Sequence, residues 1–160
     1  MKKLVILLML FCVISIYNVS GAEPPPQRVN DFANIISPET ETVLKKKLKQ
    51  LDINTTIELI VVTVASLEGK SIEQYSVEWG KKWRIGKKDK NNGILFIVAL
   101  KEKMARIEIG YGIEHIITDA DAKKILREVV NPLFKKGNFN EGFIAGVDAI
   151  MSKVSLRGKI

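Results

Sequence analysis

Two short apolar runs constrain this chain more than any other feature. Ile57 to Val64 reads IELIVVTV and Gly93 to Leu100 reads GILFIVAL. Each is rich in β-branched residues, with almost no polar position to face water. Such a run is a strand buried on both faces, so the sheet that holds it needs cover on both sides. The segment between them opens with a capping box, Ser71 with Gln74. It continues with Ile72, Tyr75, Trp79 and Trp83 at spacings of 3, 4 and 4, a helical stripe whose aromatics serve core packing. A helical crossover makes the two strands parallel. After Lys101-Glu102-Lys103, a tight polar turn, Ala105 to Ile109 alternates, with Ile107 and Ile109 on one face. So short a turn makes an antiparallel hairpin. The fold predicted is an α/β three-layer sandwich, a mixed β-sheet with helices on both faces.

The remaining helices follow from their caps. Ser37-Pro38 starts the first, with Glu39 and Glu41 in its first turn and a buried stripe of Leu44, Leu48 and Leu51. Lys45, Lys46, Lys47 and Lys49 form its solvated face. No arginine or aromatic is interleaved with them, so no nucleic-acid partner is expected. Thr118 caps the next helix, with Asp119 and Asp121 in its first turn and Ala122, Ile125, Leu126, Val129 and Val130 on its apolar face. Asn131-Pro132 is expected to interrupt it. Asn140 is read as the cap of a last helix carrying Phe143, Val147, Ile150 and Val154, with residues 155–160 as a tail. The hairpin also makes a prediction about loops. The end of its second strand lies beside the start of its first, so Asp89 to Asn92 should approach Gly110 to Gly112 and the helix start at Thr118 to Asp121.

The N-terminus reads as an address. Met1-Lys2-Lys3 precedes an apolar-rich run, Leu4 to Ile16, and then small residues at Ser20 and Ala22. That is the layout of a signal peptide over residues 1–22, cleaved after Ala22 and giving a periplasmic or secreted product. The alternative is an uncleaved N-terminal anchor. Bulky Phe11 before Cys12 argues against a lipid-attachment site. Cleavage leaves a chain from Glu23 to Ile160 with no cysteine and, two lysines fewer, a net charge of +5 instead of +7. Residues 23–27 form a proline-rich leader, and the domain spans 28–154. No second apolar run approaches the length of about 20 residues that a membrane span needs, so no transmembrane helix is expected in the mature chain.

Several segments resemble, in order and spacing, the TPM domain family of thylakoid-lumen, photosystem-repair and bacterial membrane-associated proteins. They are Val29-Asn30-Asp31, Trp83-Arg84-Ile85-Gly86 and Asn91-Asn92-Gly93-Ile94-Leu95, then Arg106 to Glu114, Thr118-Asp119-Ala120 and Asn131-Pro132-Leu133-Phe134. The likeness covers about Arg28 to Val154. It implies an extracytoplasmic α/β domain that often holds a divalent metal, calcium in particular. It also implies a part in assembling or repairing membrane protein complexes, or the acid phosphatase activity with which the family is sometimes labelled. Many bacterial members carry a C-terminal transmembrane helix and a Gly-rich tail, neither of which is seen up to Ile160.

The residues themselves narrow the chemistry. The only cysteine lies in the signal segment and the only histidine is His115, read as a loop residue or a base. No GxxxxGK[ST] loop is present. Phosphate ester hydrolysis would therefore need a metal-activated water. Ca²⁺ takes six to eight oxygens. Asp89, Asn91, Asn92, Asp119 and Asp121 are the donors that the hairpin should gather, and the resemblance adds Asp31. Each has a plainer reading too, as a turn residue or a helix N-terminus. Arg84 and Arg106 are either phosphate holders or ion-pair partners. Glu114 is a ligand or a fixer of its loop, and Tyr111, between two glycines, is a pocket wall or a packed turn residue. Two functions stand: a divalent-metal-binding accessory that works through an envelope protein partner, and a metal-dependent acid phosphatase acting on phosphomonoesters.

Overall fold

The computed structural model describes residues 26–157. The proposed signal peptide lies outside the described residues. Four strands form one sheet in the order β1-β2-β3-β4: β1 is Val29–Asp31, β2 Glu58–Val64, β3 Gly93–Ala99 and β4 Met104–Ile109. β1 and β2 are parallel, β2 and β3 are parallel, and β3 and β4 are antiparallel. The mixed sheet expected from the two apolar runs is therefore present, with one strand more than the sequence reading contained. β1 is too short to display a period, and its place comes from pairing with Val61 to Thr63.

Alternate strand residues feed two cores. Leu59, Val61, Ile94, Phe96, Ile107 and Ile109 face helices α1 (Pro38–Thr55), α3 (Asp119–Ile125) and α5 (Phe139–Arg157). Ile60, Val62, Leu95 and Ile97 face α2 (Ile72–Trp83). The helices therefore cover both faces. Ser37 caps α1, and the reciprocal boxes of Ser71 with Gln74 and Thr118 with Asp121 open α2 and α3. Each satisfies backbone donors that a first turn leaves free.

Three local expectations are corrected. The helix after Thr118 does not break at Asn131-Pro132. It passes through a π-helical turn, Leu126–Val130, into α4 (Asn131–Phe134). The Asn131 N–H reaches back to the Leu126 carbonyl, and the wider turn makes room for a proline that has no N–H and crowds the preceding turn. Asn140 does not cap α5. It lies inside that helix, and its side-chain oxygen accepts the Ser37 N–H at 2.8 Å, tying α5 to the start of α1. Finally, α5 runs on through Arg157, past the expected end at Val154.

Two ends of the sheet matter for function. The loop end is where β2 and β3 start and β4 finishes. The hairpin end is where β2 and β3 finish and β4 starts.

Candidate functional site

The loop end is built by backbone contact. Residues 93 and 110 are opposite each other in the β3–β4 register, and the Gly110 N–H donates to the Gly93 carbonyl at 2.8 Å. Farther out, the Gly112 N–H donates to the Asn91 carbonyl at 3.1 Å. Neither glycine leaves room for a side chain. A Cβ on Gly110 would lie 2.2 Å from the Asn91 oxygen, and one on Gly112 would lie 1.7 Å from the Lys90 oxygen. Loop 89–92 thus rests on Gly110–Gly112, as the hairpin predicts.

Two side chains fix the same loop from behind. Asn92, buried, accepts the Lys87 N–H at 2.8 Å and donates to the Thr56 carbonyl at 2.7 Å. Glu58 accepts the Gly86 N–H at 2.7 Å. On this base stands Tyr111, 86% exposed. A large aromatic that open to water is not a packed turn residue; it stands clear of any pocket wall.

The expected oxygen donors do not all converge. Asp31 pairs with Thr63, about 17 Å along the sheet from the loop end at the usual strand rise. Its carboxylate accepts the Ile35 and Ile36 N–H groups at 3.2 and 2.8 Å and the Thr63 hydroxyl. Asp121 is bound by Lys153 at 2.8 Å and Arg157 at 2.9 Å and closes the Thr118 capping box. The Lys153 ammonium first, then Thr118 and Arg157, hold its carboxyl far below the ordinary aspartate value. Asp119 lines a cleft of about 180 Å³ beside β4, together with Arg106 and Lys123. There Arg106 is already paired with Glu108 at 2.7 Å, and its Nε also meets the buried Ser76 hydroxyl at 3.1 Å. Arg84 is exposed and ends α2 in the left-handed conformation, and His115 is exposed.

As ligands for one calcium ion, Asp31, Asn92 and Asp121 do not fit, because their oxygens already serve the fold. The groups still free at the loop end are the exposed side chains of Asp89, Asn91 and Glu114. They suit a loosely held, largely hydrated cation rather than a closed oxygen cage.

The sequence reading missed the Ser76–Arg106–Glu108 network. Its signal was present: Arg106 and Glu108 alternate with the apolar Ile107 and Ile109, which puts both charges on the face toward α2. The partner Ser76, on a separate element, had no signal of its own.

In sequence and in fold the chain matches known proteins. The family model described as the TPM domain matches residues 29–153. The N-terminal domain of a P. gingivalis protein, solved by solution NMR, is 28% identical, with a TM-score of 0.76 over 82% of this chain and 83% of that one. The BA42 protein of the psychrophilic bacterium Bizionia argentinensis is 20% identical, with a TM-score of 0.66 over 76% and 83%. The N-terminal domain of the cg2496 protein of Corynebacterium glutamicum is 16% identical, with a TM-score of 0.64 over 84% of each chain. No curated protein matches.

Proposed function

The chain belongs to the TPM-domain family, and from that membership we propose that it is an exported accessory protein that helps assemble or maintain membrane or envelope protein complexes by binding a protein partner. The observation that carries this reading is Tyr111, exposed on a platform of two backbones in contact. Rigid, exposed aromatics are what binding hot spots are made of, because they bury large area at small entropic cost. In this reading a hard divalent cation settles on Asp89, Asn91 and Glu114 and neutralises the acidic part of the same surface. Export places the mature N-terminus at Glu23, which N-terminal sequencing checks.

The phosphatase alternative needs a metal-activated water beside a phosphate-holding cation, and Arg106 is spent on Glu108 and Ser76. The deciding experiment is kcat/KM on natural phosphomonoesters. The accessory reading expects values far below the usual enzyme range of about 10⁴–10⁸ M⁻¹s⁻¹. A value inside that range, lost on Asp119→Ala with the fold intact, would replace it with the hydrolase.

A further inference from the structure

The hairpin end carries a second surface, remote from Tyr111. β4 is the last strand in the sheet, so one of its sides has no strand beside it. Which backbone groups lie on that side follows from the register. Residues 93 and 110 are a hydrogen-bonded pair, so 95 and 108, 97 and 106, and 99 and 104 are too. The N–H and C=O groups of Ala105, Ile107 and Ile109 therefore point outward, away from β3.

Beside this edge, at the hairpin end, lies a cavity of about 400 Å³. That is within the range of small ligand sites. Val98, Leu100, Met104, Phe134 and Phe139 give it an apolar wall, and no acidic residue lines it. Two cations do, Lys103 and Lys135, and neither has an ion-pair partner among the described residues. Lys103 is fixed by the hairpin turn, where it adopts a left-handed conformation and donates its N–H to Leu100. Met104 and Ala105 are shared with the smaller cleft lined by Arg106 and Asp119, so the two hollows form one groove along β4.

We propose that this groove binds the free C-terminus of a partner polypeptide. The chain end would add to the sheet as a fifth strand through Ala105 and Ile107, place an apolar terminal side chain in the cavity, and set its carboxylate against Lys103 and Lys135. Each part answers one feature. Outward N–H and C=O groups call for a backbone, which an acyl chain does not offer. The apolar wall calls for a hydrocarbon side chain. β4 begins at Met104, so pairing stops where the two ammonium groups stand, which is the place for a chain end that carries negative charge.

The test uses the full mature chain and fluorescein-labelled hexapeptides with unblocked C-termini ending in Val, Leu or Phe. Fluorescence polarisation should give saturable binding for at least one, with Kd below about 1 mM. Amidating its C-terminus, or the double variant Lys103→Gln/Lys135→Gln, should weaken binding at least tenfold. N-methylating a peptide nitrogen that faces β4 should do the same. Amide NMR shifts should map to Ala105, Ile107 and Phe139 and leave Tyr111 unmoved. Four results would each overturn the proposal: no saturation with any peptide, equal affinity for acid and amide forms, shifts confined to Tyr111, or decanoate binding the same cavity more tightly than every peptide. None of these bears on partner binding at Tyr111, so the two surfaces fail or stand separately.

Discussion

The two ends of the sheet are closed by different means. At the loop end the backbones of residues 90–93 and 110–112 touch, and glycine is present because nothing larger fits. At the hairpin end side chains hold loops in place. Asp31 accepts the N–H groups of Ile35 and Ile36, and Glu102 accepts from the Ser66 hydroxyl at 2.8 Å and the Leu67 N–H at 3.2 Å. Gly137, in the turn that leads into α5, has nothing within 4 Å of where a Cβ would stand. One end is therefore tight and presents a single rigid aromatic. The other is loose enough to keep an apolar hollow.

The sharpest way to break this contrast is a methyl group. Gly112→Ala sets a Cβ against the Lys90 carbonyl oxygen and must push two backbones apart, which should cost about 3 kcal/mol or more. Gly137→Ala meets no atom and carries only the penalty of a side chain at φ +79°, about 1 kcal/mol. Urea unfolding of both variants measures the difference. Equal losses would remove the distinction between the ends.

Asn92→Ala comes next. It leaves the Lys87 N–H and the Thr56 carbonyl without their buried partner, for about 2 kcal/mol, while the exposed neighbour Asn91 loses no side-chain bond on the same change. A loss as large at Asn91 as at Asn92 would mean that the loop is held otherwise.

Asp121→Asn should cost about 1–2 kcal/mol at neutral pH by weakening the bonds from Lys153 and Arg157. The sign with pH follows from the lowered carboxyl. The unfolded chain holds its aspartate proton at the ordinary value of 3.8 and the folded chain only at lower pH, so the stabilisation is full above that value and lost as pH falls through the native one. Wild type and variant should therefore converge in acid. A gap that stays constant down to pH about 2 would place the effect elsewhere.

What was legible in the sequence follows the same division. The central strands and the hairpin were readable because two-faced apolar runs and a short polar turn admit one arrangement, and from them the contact of loop 89–92 with Gly110–Gly112. β1 was not readable, since Val29 alone carries no period. The turn around Pro132 was read as a break because its remedy, a bond from Asn131 to Leu126, depends on how tightly the helix is wound. The site was read least well. Thr118-x-x-Asp121 was visible as a helix start, but not that Lys153 and Arg157, far along the chain in α5, would claim the carboxylate. Asn91 and Asn92 look alike in sequence, and only the left-handed turn at Asn91 (φ +46°) decides which one is buried.

The smallest effect on stability falls at the residue that carries the largest role in partner binding. Tyr111→Ala should change unfolding by less than about 0.5 kcal/mol, because the ring is almost fully in water. The direct test of that role replaces Tyr111 with the photo-crosslinker p-benzoylphenylalanine in cells that export the protein. A second sample carries it at Ile53, which is 65% exposed on α1 and far in sequence from the loops. Partner binding through Tyr111 predicts one dominant protein adduct from position 111, absent from position 53 and lost when Gly112→Ala is added. The same adducts from both positions, or none from position 111, would contradict it.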